Sequence, residues 1–160
     1  MPILHSQFTG QLQAADGTSV PAPPSLVLIQ RGPVLQVTVG ISQSIAQQLV
    51  QRGEAVPAPI SGLALVDTGA SVTCIDDGAA QQLQLPVIDR AHMASASHAA
   101  TQQNVYPVHM EISGLPVPIE ARAMGAALTA QGLVALIGRD LLQHFTLFYN
   151  GVSGEITLAI

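Results

Sequence analysis

Between Pro33 and Gly40 apolar and polar side chains alternate: Leu35, Val37 and Val39 on one face, Gln36 and Thr38 on the other. A two-residue period over that length predicts a half-buried strand. The stretch SLVLIQ before it (Ser25–Gln30) also reads as a strand. The pattern then changes. Within SQSIAQQLVQRG, Ile45, Leu49 and Val50 fall on one helical face, Ser44 and Gln47 resemble a capping box, and Gly53 can close the end. A Pro-rich return, EAVPAPISG, leads to LALVD, a continuous apolar run that predicts a strand buried on both faces. DDGAAQQLQLP reads as a short helix capped by Asp76 or Asp77 and stopped by Pro86.

Beyond it, Tyr106, Val108, Met110 and Ile112 alternate with Pro107, His109 and Glu111, giving the returning arm of a long hairpin that starts near Asp89. VPIEARA alternates again. LVALIG is a second apolar strand followed by the short helix RDLLQHF, and FTLFY, NGVSG and EITLAI close the chain as a hairpin. Many short strands with dense turns and two or three small helices predict a mainly β fold, a closed or partly closed barrel. The first residues read as an extension: a short hairpin about Asp16-Gly17, a Pro-rich linker and the SLVLIQ strand. This divides the chain into residues 1–31 and a domain over 32–160, with a helical insertion at about 42–61.

Composition narrows the function. The chain has 160 residues, enough for one domain with a real core. It carries five arginines and no lysine against ten acidic residues, for a net charge of −5. No basic face is available for phosphates, so neither nucleic acid nor an anionic membrane is an expected partner. Only 9% of residues are charged. Either small alanines make up much of the surface, or a partner subunit covers part of it. The single cysteine, Cys74, allows no internal disulfide and fits a reducing compartment. The N-terminus lacks the basic and apolar regions of a signal peptide. The expected setting is the cytoplasm.

Two motifs carry the chemistry. ALVDTGAS ends an apolar strand in Asp67-Thr68-Gly69, and ALIGRDLL ends another in Gly138-Arg139 and opens a helix. A carboxylate at the end of a buried strand is costly unless it is hydrogen-bonded, paired or used. In this order and at this separation, with the terminal HFTLFYNGVSGEITL, the chain resembles the retropepsin-like aspartic peptidases from about Gly32 onward. The resemblance implies a flap hairpin and a two-fold homodimer in which the Asp67 carboxylates of two chains share a proton and activate a water against a peptide bond. It implies that Thr68 locks the two loops across the axis and that Gly69, Gly138 and Arg139 support them. Substrate would lie on Gly69, Ala70, Ser71 and Ile137, beneath a flap tip of Ala94, Ser95, Ala96, Ser97 and His98.

The chain departs from viral members in having Ser71 where they carry an acid that pairs with the arginine. Arg139 is left with backbone carbonyls, Asp140 or another acid as partner. The flap tip also lacks their glycines. No metal or organic cofactor is implied, and the His92–His98 spacing is no convincing zinc pattern. The implied function is an aspartic endopeptidase acting on peptides or proteins. The alternatives are a catalytically silent peptide-binding or dimerisation module of the same fold and, more distantly, a structural barrel domain.

Overall fold

The computed structural model describes residues 2–95 and 98–160. In chain order it contains β1 (Ile3–Gln7), β2 (Gln11–Gln13), β3 (Ser19–Pro21), α1 (Pro24–Arg31), β4 (Val34–Ile41), α2 (Gln43–Gln51), β5 (Ile60–Val66) and β6 (Cys74–Asp76). There follow α3 (Asp77–Gln82), β7 (Asp89–Ser95), β8 (His98–Ile112), β9 (Ile119–Ala126), a 3-10 turn (Thr129–Gln131), β10 (Leu133–Ile137), α4 (Arg139–Leu142), β11 (Thr146–Asn150) and β12 (Glu155–Ala159).

Six strands close into a barrel in the order β4-β5-β10-β6-β9-β8, because β8 pairs back onto β4 while β7 hangs from the free end of β8. Closure removes the exposed edges that an open sheet would present. Strand β8 does two jobs along its length. Its first part pairs with β7, Asp89 opposite Val105 and Ser95 opposite His98; its second part pairs with β9 and β4. The alternation read in β4 holds: Val37 and Val39 are fully buried and Thr38 is not. With Ala64, Val66, Ile75, Val108, Met110, Ala123, Ala135 and Ile137 they form the main core. Each fully buried Val, Ile or Met side chain among them contributes roughly 1.5–3 kcal/mol.

Three local readings need correction. SLVLIQ is not a strand but lies in α1, so the described residues hold four short helices. A run of four apolar residues is ambiguous between the two periods. Here Pro24 starts a helix without losing a needed N–H, and the turn places Val27 and Leu28 in the core while Ile29 stays exposed. The proposed capping box of α2 does not form. Its N-cap is Ser42, whose hydroxyl lies 3.2 Å from Ser44 Oγ instead of capping, and the Gln43 N–H donates to Glu120 of β9 (3.2 Å). Finally, β5 is not buried on both faces. Ala64 and Val66 point inward, but Leu65 is half-buried and Leu63 is exposed.

The terminal strands form a separate sheet, β1-β12-β11. Strand β12 is therefore flanked on both sides by strands of its own chain, Ile3 opposite Ala159 and Thr146 opposite Ala159. The edges this sheet leaves free are those of β1 and β11. No helix among the described residues is long and apolar enough to cross a membrane.

Candidate active site

Strands β5 and β10 run parallel with Val66 beside Ile137, so both end at one level. The loop that begins at Asp67 therefore meets the head of α4. The Asp67 N–H donates to the Ile137 carbonyl (3.0 Å), which extends the pairing by one residue past the strand ends. The Asp67 carboxylate accepts from the Gly69 N–H (2.8 Å) and the Ala70 N–H (3.2 Å) through Oδ1. The carboxylate thus folds its own loop about itself, a local bond that Asp makes readily. No hydrogen bond among the described residues uses Oδ2. Asp67 is half-buried, and Thr68, Gly69 and Ser71 are exposed.

The head of α4 braces this loop from behind. Arg139 Nη1 donates to the carbonyls of Thr68 (2.7 Å) and Gly69 (2.9 Å), which answers the question of its partner: backbone carbonyls, not an acid. The Arg139 N–H donates to Ala70 O (3.0 Å) and the Asp140 N–H to Ser71 O (3.3 Å). Gly138 is required by proximity. A Cβ there would lie 2.5 Å from the Val72 carbonyl carbon and 2.8 Å from the Thr73 nitrogen, both backbone atoms that cannot turn aside. The Gly138 N–H donates to Thr73 Oγ1 (3.1 Å).

Most predicted site residues share this place: Asp67, Thr68, Gly69, Ala70, Ser71, Gly138 and Arg139 form one bonded loop and brace. Ile137 does not belong with the substrate-contacting set. Its side chain is fully buried in the barrel interior, and only its carbonyl reaches the loop. The reason is register, since Val66 and Ile137 are paired and both face inward, whereas the paired Leu65 and Leu136 face out. Of the predicted flap-tip residues, Ala96 and Ser97 lie outside the described residues. Ala94 and Ser95 end β7, and His98 opens β8.

The outward-facing residues reveal what pattern reading missed. Leu65, Val72, Met93 and Leu136 pack on a second apolar cluster that includes Cys74, Val105, Met124 and Leu133. This cluster joins β7 to the strands that carry Asp67 and Gly138, so an apolar wall flanks the loop. Continuous apolar runs such as LALV hide which face is inside, and nothing local marked Leu65 as outward. Cys74 lies within this wall, its Sγ 4.0 Å from Met93 Sδ. Burial, and then the charges of Asp140 and Asp67, push its thiol up to about 11, so it stays protonated and unreactive near neutrality. Among the described residues no three His, Cys, Asp or Glu side chains converge to hold a metal ion.

The barrel, the Asp-Thr-Gly loop at the end of one strand and the glycine-arginine brace at the end of its parallel neighbour are the fold and motifs of the retropepsin-like aspartic protease family. The family model described as gag-polyprotein putative aspartyl protease matches residues 61–144, just over half of the chain, and the chain belongs to that family. No curated protein matches it. Similar solved structures include a retropepsin-like aspartic protease from Rickettsia conorii, with 13% identity over 97% of this chain and 94% of that one and a TM-score of 0.44. The Simian Foamy Virus (mac) protease is similar at 17% identity over 69% of this chain and 92% of its own, with a TM-score of 0.43. The retroviral protease-like domain of Ddi1 from Leishmania major shows 17% identity over 73% and 81%, with a TM-score of 0.39.

Proposed function

We propose that the chain is an aspartic endopeptidase that works as a two-fold homodimer, with Asp67 of each protomer forming the catalytic pair. The observation that carries this reading is the Asp67 carboxylate itself. It is held by two loop amides through one oxygen, its other oxygen makes no hydrogen bond among the described residues, and it stands at the end of paired strands beside an apolar wall. Metal-free hydrolysis of an amide needs one carboxylate to take a proton from water and a second to protonate the carbonyl. The nearby Asp140 is committed to Thr73. A second copy of Asp67 supplies what one chain lacks.

A peptide would bind in extended form between the Asp67 loop and the β7–β8 hairpin, through backbone bonds to Gly69 and its neighbours. Leu65, Val72, Met93 and Leu136 suit apolar side chains near the cleaved bond. Thr68 would meet its mate across the axis, and Ala70, Ser71 and the flap residues Ala94–His98 would border the peptide. Residues 32–160 would form the peptidase unit and residues 1–31 an extension that lends β1 to the terminal sheet. The lone buried Cys74 fits a reducing compartment such as the cytoplasm.

Sedimentation and a peptide-library digest test the reading together. At micromolar concentration the 16.5 kDa chain is expected to sediment at twice its mass, and the library to be cut within apolar stretches. A monomer at all concentrations, with no cleavage at any pH, would overturn both the dimer and the activity.

A further inference from the structure

The head of α4 carries a second carboxylate to which the proposed mechanism gives no task. Asp140 sits one residue beyond Arg139, yet the two form no ion pair, because the guanidinium is spent on the Thr68 and Gly69 carbonyls. Asp140 instead grips Thr73, at the far end of the Asp67 loop. Its Oδ2 accepts the Thr73 N–H (3.0 Å), and its Oδ1 accepts the Thr73 hydroxyl (2.7 Å) and the Leu141 N–H (2.9 Å). Thr73 is fully buried, and its hydroxyl oxygen accepts in turn from the Gly138 N–H (3.1 Å). One carboxylate, one hydroxyl and one glycine amide thus form a closed chain of bonds between loop and brace.

We propose that Asp140 is a positioning residue for the Asp67 loop, acting through Thr73 and Gly138; this rests on the assignment of Asp67 to the catalytic pair. The loop leaves the barrel at Asp67 and returns at Thr73. Its departing end is fixed by the bond from the Asp67 N–H to Ile137 O. Its returning end is fixed at Thr73 by the Asp140 clamp and by the Met124 N–H, which donates to the Thr73 carbonyl (2.9 Å). Between the two ends, the Arg139 and Asp140 amides hold Ala70 and Ser71. With the clamp gone, the Thr73 N–H and hydroxyl lose their acceptor, the returning end is held on its carbonyl side alone, and the Gly69 and Ala70 amides that orient the Asp67 carboxylate lose part of their support. A carboxylate fits this task because every group facing it is a donor. An amide in its place, whichever way it turned, would set its NH2 against either the Thr73 N–H or the Leu141 N–H. The donor set thus selects Asp over Asn, and Thr or Ser over Val, at the two positions.

The test uses the full chain with Asp140→Asn, Thr73→Val and Thr73→Ser, on a peptide that the wild type cleaves. A misplacement of about 1 Å costs on the order of 10²-fold in rate, and that fall in kcat is expected for Asp140→Asn and for Thr73→Val, with KM within about threefold. Thr73→Ser keeps the hydroxyl and is expected to retain activity. The Asp140→Asn, Thr73→Val double variant is expected to be no slower than the worse single one, since both break one device. Amide exchange gives a readout independent of turnover: the Gly69, Ala70 and Gly138 amides are expected to exchange faster in Asp140→Asn while those of β4 and β8 stay protected. A kcat that stays at the wild-type value, or falls only in step with the fraction of folded protein, would overturn the proposal. If the wild type cleaves nothing, the peptidase reading fails and exchange alone decides. Faster loop exchange over an intact barrel supports the clamp, and unchanged exchange refutes it.

Discussion

Asp67→Asn is expected to abolish measurable peptide hydrolysis while leaving the fold intact. Asn keeps the Oδ1 acceptor that binds the Gly69 and Ala70 amides, so the loop retains its shape. It cannot take a proton from water or return one to a carbonyl. Removing one general acid or base costs about 10² to 10⁴ in rate, and in a homodimer the substitution removes both members of the pair. A shared-proton pair also requires one carboxylate charged and one neutral, so wild-type kcat/KM is expected to follow a bell in pH on the acid side of neutrality. In the proposed dimer the variant is expected to be no less stable than wild type, because a neutral amide pair at the axis carries no repulsion at pH values where both carboxylates would ionise. Parallel digests across pH decide the matter. Cleavage by the variant at the wild-type rate would assign the activity to another site or to a contaminant, and the aspartic-peptidase reading would fall.

The largest expected effect on stability belongs to Asp76, a residue outside the proposed chemistry. It is 7% exposed and accepts from the Gly78 and Ala79 amides at the start of α3 and from the Leu128 amide, the Thr129 amide and the Thr129 hydroxyl across the fold. It therefore caps a helix and pins the segment after β9 at once. Loss of the cap costs about 1 kcal/mol. The Leu128 and Thr129 amides, left without partners, cost roughly 1–3 kcal/mol each. Asp76→Ala is thus expected to lose about 3–7 kcal/mol near neutral pH, or roughly 10–20 °C in Tm.

The pH dependence follows from the same bonds. Burial opposes ionisation of Asp76, but the Leu128 amide, the Thr129 hydroxyl and the Ala79 and Thr129 amides outweigh it and hold the carboxyl below its ordinary value of 3.8. A lowered folded-state value means that its contribution is complete above about 3.8, the unfolded value, and is lost as pH falls through the folded one. Urea unfolding at pH 7 and at successively lower pH is expected to show the gap between wild type and Asp76→Ala narrowing. A gap below 1 kcal/mol at pH 7, or one that does not change with pH, would contradict this account.

The amino-acid sequence by itself determined many of the features that depend on near neighbours. Alternation marked β4, β8 and β9; the Asp-Thr-Gly and Ile-Gly-Arg motifs marked the loop and its brace; and the helix cap was narrowed to Asp76 or Asp77, of which the structure uses Asp76 through its bonds to Gly78 and Ala79. Where two periods fit one short run, as in SLVLIQ, local pattern could not choose, and packing of Val27 and Leu28 on the core decided for helix. Tertiary structure alone decided the rest. The Val66–Ile137 register turned Ile137 inward and Leu65 and Leu136 outward, because a strand's faces are assigned only when its partner is known. The same register brought Arg139 to the Thr68 and Gly69 carbonyls and Asp140 to Thr73 across 67 positions, while the parallel pairing of β6 with β9, Asp76 beside Ala126, brought Asp76 to Thr129 across 53. Such pairs leave no periodic trace in the chain. Their energy comes from two distant groups made neighbours by a closed barrel, and only the closure determines which groups those are.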